Sequence, residues 1–287
     1  MHTFAYARPA SLAEAVALLQ AHGPDARVLA GGTDLIVRLR DGSAVPVVVI
    51  DVKRIAELRP GISVSGGRVV IGATTVMTDV AADPLVRRHF PALAEAAAVV
   101  GSVQIRNRAT LAGNICNASP AADTAPPLLV HGASVVAEGP GGTRRIPVDE
   151  LFVRSGVTTL ARGELVIAIE LPIPAQRIAS VHVRRTRRRG HDLASVTLTC
   201  GVDATGFTRI AYGSVGPRAV LVTDESGVLA DPAATAEAKA PILEAMFAAA
   251  SPSPRSMRAG PEYRLAMLRV LGRRALAAAI DRLAVGE

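Results

Sequence analysis

The chain has 287 residues, 49 % of them hydrophobic and 20 % charged, and this composition excludes an intrinsically disordered protein. Only 3 % of the residues are aromatic, which argues against a carbohydrate-binding cleft or a surface that stacks nucleic-acid bases. The two cysteines are too few for a disulfide framework, a four-cysteine zinc site or an iron–sulfur cluster held by four cysteines. The formal net charge of +7 predicts a basic surface that attracts an anionic cofactor, an acidic partner subunit or nucleic acid.

Two features of the sequence bear on its location in the cell. Residues 1–21 contain no basic region followed by an apolar core, so we expect no signal peptide. The densest apolar run, residues 45–50, contains Pro46 and is far too short to span a bilayer. We therefore expect a cytoplasmic protein with no membrane span and with reduced thiols.

The predicted elements follow an α+β pattern. Ser11 followed by Glu14 has the spacing of a capping box and predicts the start of a first helix over residues 11–20. The prolines of segment 172–179 predict a domain boundary. The other predicted elements are strands at 26–30 and 45–52, a hairpin at 62–73, helices at 78–83 and 91–101, a hairpin at 133–145, a strand at 165–171, antiparallel strands at 180–185, 194–203 and 209–215, and helices at 232–250 and 261–284.

The first segment with a pattern typical of a binding site is Val28-Leu29-Ala30-Gly31-Gly32-Thr33-Asp34-Leu35. A predicted strand runs directly into two glycines, which permit positive φ and let a ligand approach the backbone. Consecutive N–H groups in such a turn can surround a phosphate, although a tight turn at a strand exit explains the same pattern. The segment lacks the G-x-G-x-x-G and G-x-x-x-x-G-K-[ST] patterns, so a Rossmann domain and a P-loop enzyme are not expected.

The second such segment is residues 110–123, in which small and polar side chains dominate. This composition predicts a loop of about 14 residues, a length that usually marks a functional loop in a compact domain. Its Thr, Asn and Ser side chains offer hydrogen-bond donors and acceptors, and Asp123 could accept from a ribose hydroxyl. An ordered structural loop closed by Pro126 and Pro127 is the alternative. The six histidines do not cluster at metal-ligand spacing, and no catalytic Ser-His-Asp or Cys-His pair is visible.

The order and spacing of several motifs resemble the flavin-binding (medium) subunit of the molybdenum hydroxylases, the family of xanthine dehydrogenase and aerobic carbon monoxide dehydrogenase. The resemblance covers nearly the whole chain. Its motifs are Phe4-x-Tyr6-x-Arg8-Pro9, Ala30-Gly31-Gly32-Thr33-Asp34-Leu35, Ile71-Gly72-Ala73-Thr74-Thr75, Gln104-Ile105-Arg106-Asn107 continuing to Asp123, Asp192-Leu193-Ala194-x-Val196, and Gly213-x-Val215-x-Pro217-Arg218.

The resemblance implies an FAD-binding domain of the PCMH/vanillyl-alcohol-oxidase-like type at 1–174, with subdomains of about 1–53 and 54–174. A CO-dehydrogenase-flavoprotein-like C-terminal domain at 178–287, with a three-stranded antiparallel sheet and helices, would follow and close over the flavin. It also implies that segment 28–35 wraps the FAD diphosphate and that exposed main-chain amides of segment 110–123 meet it there. The implied FAD-binding residues are Val28, Leu29, Ala30, Gly31, Gly32, Thr33, Asp34, Leu35, Thr110, Ala112, Gly113, Asn114, Ser119, Asp123, Val166 and Arg184.

The sequence departs from the family pattern at three of its positions. Ala112 stands where many members have glycine, which is tolerable if φ stays negative there. Arg184 stands where some members have lysine, so the charge is kept but the compact ammonium is not. Val99 falls where some members place an aromatic residue that stacks on the flavin.

The run Arg184-Arg185-Thr186-Arg187-Arg188-Arg189 has three open interpretations. It is a charge near the flavin or an interface to an acidic partner, a solvated strand end, or a nucleic-acid patch.

The leading hypothesis is an electron-transfer FAD subunit of a molybdenum-containing hydroxylase. In the complex that the resemblance implies, a molybdenum-cofactor subunit oxidises the substrate and a subunit with two [2Fe-2S] clusters relays electrons to the FAD. The FAD passes them to an external acceptor such as NAD, a quinone or oxygen, and the complex is a heterotrimer that dimerises. The alternatives are a stand-alone FAD oxidoreductase and, from another class, a basic nucleic-acid-binding or scaffold protein.

Overall fold

The computed structural model describes residues 2–188 and 190–285. Its N-terminal part contains a three-stranded parallel sheet in the order β1-β3-β2, with every residue of the central strand buried. Ser11 caps the first helix as predicted, because its Oγ accepts from the amide of Glu14 at 3.2 Å. The elements are β1 (Ala5–Ala7), α1 (Leu12–His22), β2 (Ala26–Leu29), α2 (Leu35–Arg40) and β3 (Val48–Asp51).

A five-stranded sheet follows, in the order β4-β5-β10-β6-β7, and it contains both predicted hairpins. Several short helices that the sequence analysis did not predict pack against it. The elements are β4 (Ile62–Ser65), β5 (Arg68–Gly72), α3 (Met77–Ala82), α4 (Pro84–His89), α5 (Pro91–Val99), α6 (Val103–Arg106), α7 (Leu111–Cys116), α8 (Ala125–Val130), β6 (Ser134–Gly139), β7 (Gly142–Pro147), α9 (Val148–Leu151), β8 (Phe152–Arg154), β9 (Val157–Thr158) and β10 (Leu165–Pro172).

The C-terminal sheet is antiparallel, in the order β11-β12-β13-β14. The three predicted strands are present, but the expected three-stranded sheet has a fourth strand at its edge. Both predicted helices are present as well, the first of them shorter than predicted. The elements are β11 (Ile178–Arg185), β12 (Val196–Asp203), β13 (Thr208–Gly213), β14 (Val220–Asp224), α10 (Ala236–Met246) and α11 (Pro261–Val285).

The two faces of the C-terminal sheet carry different side chains, because successive residues of a strand point to opposite faces. On β12, Val196, Leu198 and Cys200 belong to the apolar core formed with α10 and α11. The alternate residues Thr197 and Thr199 are equally buried, and they belong to the opposite face. That face is small and polar, and it lies against the helices around the five-stranded sheet.

Glycines on this polar face bring the sheet close to the rest of the chain. A Cβ atom at Gly201 would lie 2.7 Å from a side-chain carbon of Val130 at the end of α8. At Gly213 it would lie 2.6 Å from the carbonyl oxygen of Pro120. Since real Cβ contacts are longer than this, a larger residue at Gly201 would force the sheet away from α8, and one at Gly213 would force it away from segment 110–123.

The prediction of a continuous loop over 110–123 is wrong for residues 111–116, which form α7. Thr110 caps this helix, because its Oγ1 accepts from the amide of Gly113 at 3.0 Å. Tertiary packing stabilises this helix, because Leu111, Ala112 and Ile115 are buried in the core beneath the five-stranded sheet. Because most of its residues are small or polar, hydrophobic periodicity alone does not predict this helix.

His131, just after α8, connects the five-stranded and C-terminal sheets. Its ring is buried, with Nε2 3.0 Å from Ser180 Oγ on β11 and with the edge of Phe90 packed at 5.0 Å between ring centroids. Burial, reinforced by the positive charge of Arg209, lowers the pKa of His131 to about 3. The folded chain therefore keeps this imidazole neutral at pH values at which an unfolded chain protonates it.

We expect the free energy of unfolding to fall as the pH is lowered from about 6.5 towards 3. In this range His131 binds a proton in the unfolded state but stays neutral in the folded state. One such proton contributes up to about 1.4 kcal/mol per pH unit inside that window. Urea titrations between pH 5 and 7.5 measure this slope. His131→Gln, which keeps a hydrogen-bonding group towards Ser180, should flatten it, whereas His191→Gln, at an exposed position, is the matched control. An unchanged slope in His131→Gln would contradict this account.

Candidate functional site

The turn between β2 and α2 presents free backbone amides. None of the N–H groups of Gly31, Gly32, Thr33 and Asp34 donates to a protein acceptor within residues 2–188 and 190–285. Gly32 has a φ of +77°, a left-handed conformation that side chains rarely adopt. The chain therefore holds four consecutive donors at the carboxyl end of a parallel strand, the edge at which ligands bind in open α/β sheets.

This turn lies directly against the chain that precedes α7. A Cβ atom at Gly31 would overlap the carbonyl oxygen of Arg108, so the absence of a side chain is what permits the contact. Further along, Asn117 Nδ2 donates to Asp34 Oδ2 at 3.2 Å. Two segments that are about 80 residues apart in the chain are thus in direct contact.

The two segments do not contribute the same groups to this crevice. The amide of Leu111 donates to the carbonyl of Thr75 at 3.2 Å, and the amides of Gly113 and Asn114 both donate to Thr110. The first segment therefore has the expected stretch of free amides. In the second segment, most of the amides donate to acceptors within the protein. The second segment offers side chains instead.

Ala112 fits its position without strain. It lies inside α7, and only Ala118 and Ser214 have positive φ among the non-glycine residues described. Its methyl group is 5 % exposed and packs in the core beneath the five-stranded sheet. The condition under which alanine can replace glycine here is therefore met.

Polar side chains of the second segment are mostly held by neighbours. Asn114 Oδ1 accepts from Thr124 Oγ1 at 2.7 Å, and Ser119 Oγ accepts from the amide of Ala121 at 3.2 Å. Asp123 is buried and pairs with Arg184, with 2.7 Å between Oδ2 and Nη1. This ion pair joins the second segment to β11 of the C-terminal sheet.

His182 is a site residue that the sequence analysis missed. Its Nε2 lies 3.7 Å from Asp123 Oδ1, and only 2 % of its side chain is exposed. The signal for it was the alternation of Ser180, His182 and Arg184 along a predicted strand, which places three polar residues on one face.

Two other predicted positions contribute less than expected. The side chain of Val166 is 4 % exposed and packs in the core, so it could reach a cofactor only through its backbone. Val99 is the last residue of α5 and is partly exposed, so an aliphatic side chain occupies the position expected to stack on the flavin.

The rest of the arginine run is held by local contacts. Arg185 Nε donates to the hydroxyl of Tyr263 at 2.8 Å, Arg187 pairs with Asp192 at 3.4 Å, and Arg188 donates to the carbonyl of His191. Arg189 lies outside the described residues. Of this run, Arg184 is thus the arginine that pairs with a residue of the second segment, Asp123.

Cys116 lies at the end of α7, where it packs against the core. Burial raises the pKa of its thiol to about 12, so it stays protonated at neutral pH and is a poor nucleophile.

A separate cavity of about 930 Å³ lies between the end of α8, the segment after β10 and the turn joining β12 to β13, and no predicted FAD-binding residue lines it.

Two family models match the chain. The FAD binding domain in molybdopterin dehydrogenase matches residues 2–174. The CO dehydrogenase flavoprotein C-terminal domain matches residues 182–279.

Known proteins of this family are similar to the chain over nearly its whole length. The chain is 36 % identical to the carbon monoxide dehydrogenase medium chain of Hydrogenophaga pseudoflava over 285 residues, which covers 98 % of both chains. It is 30 % identical to the xanthine dehydrogenase FAD-binding subunit of Escherichia coli O157:H7, over 96 % of this chain and 95 % of the relative. Among solved structures, a carbon monoxide dehydrogenase from H. pseudoflava gives a TM-score of 0.88 at 34 % identity, covering 98 % of both chains.

The chain therefore belongs to the FAD-binding subunits of the molybdopterin dehydrogenases, and its C-terminal part to the CO dehydrogenase flavoprotein C-terminal domains. It is a flavoprotein oxidoreductase subunit, and its cofactor is FAD. Among the residues described, no helix is long and apolar enough to cross a bilayer.

The residues of the crevice fit FAD. The four free amides of the Gly31–Asp34 turn match a diphosphate, which needs several donors and is favoured where N–H groups converge. The Asp123 oxygen that faces His182 has no partner within hydrogen-bond distance in the described part of the chain. A basic side chain, Arg184, pairs with Asp123 of the second segment.

Gly32→Val should abolish FAD retention. The new Cβ would start 3.0 Å from a methyl group of Leu29 and would force the left-handed turn to rearrange, so the amides would no longer converge. Flavin absorbance after gel filtration measures retention.

Gly42→Val is the matched control, because Gly42 has the same φ of +77° but no atom within 4 Å of its Cβ position. Both variants carry a conformational penalty of about 1–3 kcal/mol, and the control should still bind flavin. A folded Gly32→Val protein with full flavin content would show that the turn does not hold the cofactor.

Proposed function

We propose that this chain is the electron-transfer subunit of a molybdenum-containing hydroxylase. It receives electrons from a partner subunit with [2Fe-2S] clusters, and it delivers them to an external acceptor such as NAD, a quinone or oxygen. Family membership supports the flavoprotein role, and the two cysteines support the placing of the clusters on another subunit, since two thiolates cannot hold a four-cysteine cluster.

We propose the following roles for the crevice residues. The amides of Gly31, Gly32, Thr33 and Asp34 bind the diphosphate, and Val28, Leu29, Ala30 and Leu35 hold the turn between its strand and helix. Thr110, Ala112, Gly113, Asn114 and Ser119 close the opposite side, and Val166 contributes backbone. The observation that carries this assignment is the contact at Gly31, which brings both segments to one place.

At the other end of the crevice, Asp123 and Arg184 define the proposed flavin end. When bound, FAD supplies the redox chemistry, and the protein positions it and tunes it. Arg184 places a guanidinium beside the site, and the carboxylate of Asp123 balances its charge. The polar face of the C-terminal sheet covers this end and restricts access of water.

We propose a division into an FAD-binding domain at 1–174, with subdomains of about 1–53 and 54–174, and a C-terminal domain at 178–287. The two family matches and the separate cores of the sheets support it. We also propose that the chain forms a cytoplasmic heterotrimer with a molybdenum-cofactor subunit and the iron–sulfur subunit. Co-purification of the three subunits tests this assembly. The similarity to carbon monoxide dehydrogenase supports this assembly by relationship.

The isolated chain should bind FAD but show little or no substrate-dependent turnover, because its electron donor is on another subunit. Stopped-flow and steady-state assays with purified, FAD-loaded chain measure this, and the flavin-free Gly32→Val protein gives the background rate. Rapid steady-state NADH oxidation would favour a stand-alone oxidoreductase. Oxidation of an organic substrate by the chain alone would contradict the proposed role.

A further inference from the structure

Two buried polar atoms without hydrogen-bond partners face each other beside the crevice. They are Oδ1 of Asp123 and Nε2 of His182, 3.7 Å apart, and neither has another partner in the described part of the chain. Buried polar groups are nearly always paired, so two adjacent exceptions need a physical explanation. At 3.7 Å the two atoms are in electrostatic contact, although the distance exceeds a hydrogen bond.

The proton on His182 can be placed from its surroundings. Its Nδ1 lies 3.1 Å from Thr199 Oγ1, the residue directly opposite on β12. If Nδ1 carried the proton, the bare Nε2 would face a carboxylate oxygen, and two buried acceptors would repel each other. If Nε2 carries it, Thr199 donates to Nδ1 and Nε2–H points at Asp123. Of these two neutral tautomers, only the second gives each atom a favourable neighbour.

We infer that His182 is a positioning residue for the flavin site, acting through Asp123. The chain of contacts runs from Thr199 to His182, from His182 to Asp123, and from Asp123 to Arg184, whose guanidinium is 2.7 Å from the carboxylate. His182 faces one carboxylate oxygen and Arg184 donates to the other, so the carboxylate has a basic residue on each side. The inference rests on the proposed FAD site, in which Asp123 and Arg184 lie at the flavin end.

Rigid elements support this arrangement. The amide of His182 donates to Glu95 Oε2 at 2.8 Å, and Glu95 Oε1 pairs with Arg282 of α11 at 2.7 Å. His182 and Arg184 are two residues apart on β11, opposite Thr199 and Thr197 in the register with β12. A site residue supported by packed strands and by a second set of hydrogen bonds keeps its geometry better than one on a loop.

The test compares two substitutions at one position. His182→Leu removes the donor and keeps an apolar side chain, whereas His182→Gln restores an N–H group near Nε2. FAD titrations followed by flavin fluorescence should show affinity roughly tenfold weaker in His182→Leu, because a buried carboxylate oxygen loses its donor. His182→Gln should remain within about threefold of wild type. Ser180→Ala, at the adjacent position on the same face, should lower the thermal midpoint without changing FAD affinity.

Two further measurements separate positioning from packing. The ¹⁵N chemical shifts of His182 should report a proton on Nε2. The double variant Asp123→Ala/His182→Leu should bind FAD no more weakly than Asp123→Ala alone, because His182 acts through the carboxylate.

Three results would overturn the inference: wild-type affinity in His182→Leu, equal loss in His182→Gln, or additive losses in the double variant. Failure of the wild-type chain to bind FAD would instead overturn the proposed function. The two failures are therefore distinguishable.

Discussion

The close approach of Gly31 to the backbone of Arg108 is the constraint on which the site depends. It brings the end of a parallel strand into contact with the segment that leads into α7. A methyl group at this position would separate the two, and the four free amides of the turn would then face solvent instead of a shared crevice. The neighbouring glycine adds a left-handed backbone conformation to the turn that carries these amides. The proposed diphosphate site thus depends on the absence of two side chains.

The C-terminal sheet completes the site because its two faces are chemically different. Its apolar face packs on α10 and α11 and accounts for the stability of that part of the chain. Its small and polar face lies against α8 and segment 110–123, where it supplies Arg184 and His182 to a buried carboxylate. Burying one charge on each side of an interface is unfavourable unless the charges are paired, so the ion pair also fixes how the two parts dock.

Part of this arrangement could be predicted from the sequence. Gly31-Gly32 after an apolar strand predicted the turn, and the family resemblance predicted that it meets segment 110–123. The sequence did not reveal α7, because its small residues hide an apolar side that only tertiary packing uses. It did not reveal β14, a short edge strand whose residues are only partly buried. His182 was missed because no motif contains it, and its role arises from strand register and from contact with a carboxylate 59 positions earlier, neither of which periodicity shows.

Hydrogen–deuterium exchange of the chain with and without FAD tests the central claim most directly. The account predicts that FAD slows exchange in peptides covering residues 28–35, where the free amides lie, and in peptides covering 108–117, which form the facing wall. It predicts no comparable change around the cavity at the β12–β13 turn. Bound FAD that leaves the amides of Gly31 to Asp34 exchanging at their original rate would contradict the account.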